Sequence, residues 1–276
     1  MLTSPQSSLA KQLRKLHQAK GRREQACFLL EGTHLLHEAL GVQWPLAVVC
    51  YTAAWQQKEA VLCSQLQQSS PRCELVSEAV LAAIATTVSP DGVVAAARSR
   101  TQGVFSPRSL GLVLETIQDP GNVGALLRTA AAAGVEGVLL DVGSADLESP
   151  KVLRSSAGAW FRVAAHRCED VLTQVRDYRN QGFQVVATTP KADLDYWDLD
   201  YTRPTLVAVG NEGAGLSDDL MQLATVQVRI PLSAEVESLN AAIATAVVLY
   251  EAKRQRTFKG DRYNSGTGKT VNCPLP

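Results

Sequence analysis

The sequence predicts two α/β units, the second organised around a parallel β-sheet. Three observations carry this. Beyond residue 110, near-continuous apolar runs alternate with helix-like segments, the pattern of strands covered on both faces. The chain has 276 residues, enough for two cores at roughly 150 residues per domain. A polar segment, RSRTQGVFSPRS over 98–109, interrupts the pattern and reads as a linker. At 46% hydrophobic and 20% charged residues, the composition is that of a folded globular protein and excludes a highly charged disordered chain.

The elements follow in order. Leu9, Leu13 and Leu16 recur at helical spacing among basic residues, which predicts a helix over 7–19. Phe28 to Gly32 reads as a short strand, with Thr33 capping a helix from His34 to about Leu40. Strands are expected at 45–51, 73–76 and 93–97, and helices at 55–68 and 78–85. In the second unit the strands are 111–117, 136–141, 161–165, 183–188, 205–209 and 226–230. Helices fall at about 123–133, 150–158, 169–181, 216–223 and 238–256. From 259 the chain loses all periodicity and reads as an unstructured tail. The expected division is therefore 1–105, 106–258 and 259–276.

Net charge is zero, but it is unevenly spread. Residues 1–105 carry +3, 106–249 carry −7 and 250–276 carry +4. Basic ends around an acidic middle suit a polyanion gripped at the periphery; a solvated basic helix is the plainer reading. No apolar run reaches the roughly 18 residues of a membrane span, and no secretory signal is visible. The six cysteines form no CxxC pair and read as free thiols of a cytoplasmic protein. His34 and His37 lack the acidic or cysteine ligands of a zinc set, so no metal is expected. Gly266-Thr267-Gly268-Lys269-Thr270 is not a P-loop, because Tyr263 stands where the first glycine belongs.

Three segments at strand ends carry chemistry, the place where open α/β sheets bind ligands. In the first, DPGNVGALLRTA (119–130), Asp-Pro-Gly forms a turn and Asn122 is placed to cap the helix that follows, whose free N–H groups favour an anion. Arg128 is the only charge in an apolar stretch, about 240° around the helix from Asn122. It is either a structural ion-pair partner or a functional cation. The second, VGNEGAGL (209–216), has three glycines that let backbone approach a ligand closely. The third, IPLSAEVESLN (230–240), leads into a helix apolar nearly all round, which demands burial on several sides, a partner subunit included. Ser238 and Asn240 either cap that helix or hydrogen-bond a nucleotide.

In this order and spacing, the three motifs resemble those of the SpoU (TrmH-like) RNA ribose methyltransferases of the SPOUT superfamily. The segment SPKVLRSSAG (149–158) also resembles that family, so the likeness covers about 110–256. FLLEGTHLLHEAL (28–40) is similar to the ribosomal-protein-like substrate-binding domain often joined to it.

The resemblance implies a parallel-sheet SPOUT domain whose C-terminal chain is threaded in a trefoil knot, preceded by a small α/β RNA-binding domain. It implies S-adenosyl-L-methionine as cofactor, held around Thr188, Thr189, Gly210, Asn211, Gly215, Ile230 and Leu239. Asn122, Arg128, Glu212, Ser238 and Asn240 match the family's active-site positions, completed across a homodimer. Leu232 and Ala234 stand where the family usually has Met and Gly, and Ala234 fits if its φ is negative. The implied reaction is methylation of a ribose 2′-hydroxyl, with ribosomal RNA favoured over tRNA by the extra N-terminal domain. The family's proposal of Arg128 as general base conflicts with guanidinium chemistry; phosphate binding and charge stabilisation are easier roles. Arg14, Lys15, Arg22 and Arg23 are the expected phosphate contacts. Two other readings are a base methyltransferase and a non-catalytic ribosome-assembly factor. The Asn–Arg, Asn-Glu-Gly and Ser-Leu-Asn motifs argue against the first. The intact Arg128, Glu212 and Asn240 argue against the second.

Overall fold

The computed structural model describes residues 1–99, 105–236 and 238–260. The first unit runs α1 (Ser8–Lys15), α2 (Ala19–Gln25), β1 (Cys27–Glu31), α3 (Thr33–Gly41), β2 (Leu46–Tyr51), α4 (Ala53–Lys58), α5 (Ala60–Ser69), β3 (Cys73–Leu75), α6 (Glu78–Ile84) and β4 (Val93–Arg98). Its four strands are ordered β1-β4-β2-β3, with β4 antiparallel to both neighbours. Leu9, Leu13 and Leu16 are buried against this sheet, as their spacing predicts, but the helix breaks after Lys15 and restarts at Ala19. The single helix expected over 55–68 is likewise two, divided at Glu59. Thr33 is the first helical residue rather than the cap. The Asp91 carboxylate takes that role from across the unit, accepting the Thr33 N–H at 2.8 Å and its hydroxyl at 2.5 Å.

The second unit runs β5 (Leu110–Leu114), α7 (Pro120–Ala133), β6 (Gly137–Leu140), α8 (Pro150–Ser155), β7 (Ala165–Arg167), α9 (Val171–Asn180), β8 (Gln184–Thr188), β9 (Leu194–Asp195), β10 (Thr205–Val209), α10 (Asp218–Leu223), β11 (Val226–Arg229) and α11 (Ala241–Gly260). Its seven strands are all parallel, ordered β7-β6-β5-β10-β8-β11-β9. The order runs outward from β5 in one direction, then reverses, with β10 inserted between β5 and β8. Such a reversal leaves a crevice at the C-terminal strand ends. β5 and β10 are buried along their whole length, which is why they read as continuous apolar runs. The strand expected at 161–165 is displaced to Ala165–Arg167. Phe161, its expected first residue, occupies a 3₁₀ turn with Trp160 instead.

Those two aromatics join the units. Trp160 packs 5.1 Å from both Phe28 and Trp44, and Phe161 lies 5.5 Å from Trp44, ring centre to ring centre. One apolar core therefore passes from the first sheet into the second. Ion pairs cross the same boundary: Glu31 to Arg154 at 3.1 Å, Glu38 to Arg162 at 2.6 Å and Arg22 to Asp146 at 2.6 Å. Apolar contact and ion pairs together dock the units firmly across the linker. The linker residues 100–104 and the expected tail beyond Gly260 lie outside the described residues.

Candidate active site

Loops after β5, β10 and β11 converge at the C-terminal edge of the sheet. The first positions Asn122, by a cap other than the one expected. Asp119 caps α7, accepting the Gly121 N–H at 2.7 Å, with Pro120 in the first turn. Lys151 donates to the same carboxylate at 2.9 Å, so the helix start already holds its anion and counter-ion. Those hydrogen bonds hold the Asp119 carboxyl below the usual carboxylate range, that from Lys151 contributing most. Asn122 is thereby released from capping. Aspartate before proline is a cap signature that the turn reading of Asp-Pro-Gly overlooked.

The released side chain links all three motifs. Asn122 donates its amide to Glu212 Oε1 at 2.6 Å, and its carbonyl accepts from the Asn240 amide at 3.1 Å. Asn240 Oδ1 accepts the N–H groups of Ala242 at 3.0 Å and Ile243 at 3.4 Å, capping α11. Asn240 thus caps the helix, one of the two roles its sequence position allowed, and its amide binds Asn122. The orientation of each group follows from the next: a carboxylate only accepts, so each amide must present its NH₂ toward the Glu212 end. Ser238 and Glu212 are exposed at this edge. Arg128 is exposed too and makes no hydrogen bond or ion pair among the described residues. Among the described residues nothing supports the structural ion-pair reading left open by the sequence.

The glycine-rich turn is closed by its own backbone. Asn211 and Gly215 exchange N–H···O bonds of 3.0 and 2.9 Å. Asn211 Oδ1 accepts the N–H groups of Gly213 at 2.9 Å and Ala214 at 3.0 Å. A side chain at Gly210 would collide with the backbone of Gly215 and Leu216, and Gly215 sits at φ +75. Two of the three strand-proximal glycines therefore serve the turn itself. With the Asn211 side chain engaged, any ligand contact there falls to backbone.

Thr188 ends β8 and Thr189 follows it, next to β10 and β11. The Thr188 hydroxyl donates to the Ala208 carbonyl at 3.3 Å. Between Ile230 and Leu239 the described backbone makes one internal hydrogen bond, Val236 N–H to the Ser233 carbonyl at 2.9 Å. The same segment carries half-buried Ile230 and Leu232 and the 37% exposed Leu239. A purine, apolar on its faces and hydrogen-bonding at its edges, fits that combination. Ala234 is not among the residues with positive φ, so alanine is accommodated there.

The basic N-terminal residues divide. Arg14 is half-buried, while Lys15 and Arg23 are exposed. Arg22 is 4% exposed and is no phosphate contact. Its guanidinium donates to the Leu16 and His17 carbonyls at 2.9 and 3.0 Å and to Asp146 at 2.6 Å. One residue along a basic helix was enough to turn this cation inward. Among the described residues, no cluster of His, Cys, Asp or Glu is placed to hold a metal, and no helix is long and apolar enough to cross a membrane.

Fold and site together define an α/β domain that takes a ligand at a topological reversal of a parallel sheet, docked to a second unit. Residues 109–250 match the SpoU rRNA Methylase family, and residues 8–95 match an MRM3-like substrate binding domain. An uncharacterised tRNA/rRNA methyltransferase of Synechocystis is 49% identical, over 92% of this chain and 94% of its own. The 23S rRNA (guanosine(2553)-2′-O)-methyltransferase RlmP of Bacillus subtilis is 30% identical, over 91% and 98%. Among solved structures, the AdoMet-bound rRNA methyltransferase of Sinorhizobium meliloti superposes with a TM-score of 0.81 at 31% identity, covering 92% of this chain and 97% of that one. The chain belongs to the SpoU rRNA methylase family.

Proposed function

We propose that this protein transfers the methyl group of S-adenosyl-L-methionine to a ribose 2′-hydroxyl of ribosomal RNA. The carrying observation is the Glu212–Asn122–Asn240 row, one residue from each motif, together with an exposed Arg128 on the same helix as Asn122 that pairs with no group among the described residues. Support comes from relatives named as 23S rRNA 2′-O-methyltransferases and from a structural neighbour described as AdoMet-bound. In this reading residues 1–105 grip RNA and 106–258 form the catalytic domain, with the chain from Ile230 to α11 threaded as the family's trefoil knot. The enzyme is a homodimer and acts in the cytoplasm, where its described cysteines stay free.

The cofactor, when bound, supplies an electrophilic methyl group on a sulfonium centre. Backbone of Gly210, Ile230 and Leu239, with Thr188 and Thr189, lines its site. Arg128 stays charged, holds the phosphate beside the target ribose and stabilises negative charge developing on the 2′-oxygen. The hydroxyl proton passes to that phosphate or to water. Asn122, Glu212, Ser238 and Asn240 fix the ribose. Most of the rate enhancement is then positioning and electrostatics.

The test is incubation with labelled cofactor and ribosomal RNA or tRNA lacking native modifications, followed by digestion to nucleosides. A labelled 2′-O-methylnucleoside from ribosomal RNA is expected. Label on a base, or none in RNA and ribosomal particles alike, refutes the reading.

The corrected assignment of Arg22 separates grip from docking. Lys15→Ala and Arg23→Ala each flatten the log–log salt dependence of RNA binding by about 0.7–0.9. Arg22→Met leaves that slope unchanged. It lowers stability by about 2–3 kcal/mol, because two carbonyls and a partly shielded carboxylate lose their donor. Filter binding across a salt series and urea unfolding read the two effects. A changed slope in Arg22→Met returns it to the RNA surface.

A further inference from the structure

The position of Glu212 depends on the turn that carries it, and that turn is clamped at both ends by the loop after β5. At one end the Glu115 carboxylate accepts the Ser217 N–H and hydroxyl, both at 2.7 Å. At the other, Asn211 donates its amide to the Thr116 carbonyl at 3.0 Å. Thr116 has φ +56, a left-handed conformation that is an outlier for a β-branched residue. Such conformations persist only where surroundings over-determine them, and they cluster at functional sites.

What over-determines this one is Asp141, at the end of β6. Its Oδ1 accepts the Thr116 N–H at 2.9 Å and its Oδ2 accepts the Thr116 hydroxyl at 3.0 Å. The Ser144 N–H and hydroxyl also donate to Oδ1, at 2.9 and 2.6 Å. Ser144 Oγ in turn accepts the Ile117 N–H at 3.0 Å, fixing the residue after Thr116. Burial acts to raise the Asp141 carboxyl, but hydrogen bonds from Ser144 and Thr116 outweigh it and hold the group below the usual carboxylate range. The clamp is therefore ionised at neutral pH.

We propose that Asp141 is a positioning residue for methyl transfer. It holds Thr116 left-handed, which aims the Thr116 carbonyl at Asn211 and sets Glu212 against Asn122. This rests on the methyltransferase reading above and places a control two loops behind the reacting atoms. Asp141 touches neither substrate nor cofactor; it acts through Thr116 and Asn211.

Glycine enters the left-handed region without steric cost, so Thr116→Gly removes the need for the clamp. A double-mutant cycle tests this directly. Asp141→Ala lowers kcat by about 30-fold with KM for RNA within about threefold, whereas in a Thr116→Gly background it costs less than about threefold in kcat. Asp141→Asn, which keeps one acceptor oxygen, gives the same cycle at smaller amplitude if the alanine variant does not fold. Amide hydrogen exchange at Gly213 and Ala214 reads the geometry without any turnover. It accelerates about tenfold in Asp141→Ala and returns toward native in the double variant. An equal loss of kcat in both backgrounds overturns the proposal, as does unchanged exchange at Gly213 and Ala214. If the unmutated protein methylates no RNA, the methyltransferase reading fails, and the exchange data alone decide whether Asp141 sets the turn.

Discussion

Arg128→Ala is expected to lose at least about 10²–10³ in turnover, the cost of removing one well-placed stabiliser of developing charge. Cofactor affinity and thermal stability should hardly move. The reasoning starts from what Arg128 does not do. It lies in α7 among buried Val123, Leu126, Leu127 and Ala130, yet it is exposed and pairs with nothing described in its chain. An apolar helix keeps a lone exposed cation at some solubility gain, but no packing or ion pair would be lost with it. Truncation therefore removes charge without opening a cavity, and stability stays within about 0.5 kcal/mol. Arg128→Lys keeps the charge and loses the planar fork that grips a phosphate, so its activity falls between native and alanine. Single-turnover methylation, calorimetric titration of the cofactor and a melting curve separate the effects. Turnover within tenfold of native in Arg128→Ala removes it from the catalytic machinery.

Much of the fold was legible because burial leaves a simple trace. β10 appears at 205–209 as read, since a strand buried on both faces is an uninterrupted apolar run. The errors cluster where tertiary contact outbids local pattern. Trp160 and Phe161 favour strand conformation alone, but the aromatic cluster with Phe28 and Trp44 takes them into a tight turn. Arg22 looked like its basic neighbours until its guanidinium proved to be buried between helix carbonyls and Asp146, 124 residues away. At the site, the three motifs named the residues but not their division of labour. Asn122 is not a cap, because Asp119 is; two glycines and the Asn211 side chain build the turn. Asp141 and Thr116 left no sequence signal at all. A left-handed threonine is invisible until the backbone is known, and an aspartate after a strand is ordinary.

The most consequential expectation concerns where Arg128 acts. Along α7 it lies about 9 Å and 240° from Asn122, so it points away from the Glu212–Asn122–Asn240 row of its own chain. Half-buried Gly121 and Ala125 and exposed Ala132 share its stripe, at helical spacing. α11 runs alongside, with Lys253 donating to the Ala132 carbonyl at 2.7 Å. On α11, Ile243 and Tyr250 are 56% and 51% exposed, a large apolar contribution on the helix packed against α7. On the homodimer reading proposed above, a second copy related by a twofold axis would cover that patch and carry each Arg128 to the partner's row. Ile243→Asp should then yield a monomer on sedimentation and lose at least about 100-fold in methylation, because the charge cannot be desolvated in the interface. The decisive experiment is complementation. Arg128→Ala and Glu212→Ala are each inactive as pure dimers. Co-expressed under separate tags, half of the dimers are mixed, and each mixed dimer holds one site with both native residues. Activity of about a quarter of native is expected from random assembly. If Arg128 served its own chain's row, every site in the mixture would carry one defect, and the activity would stay at the level of the single variants.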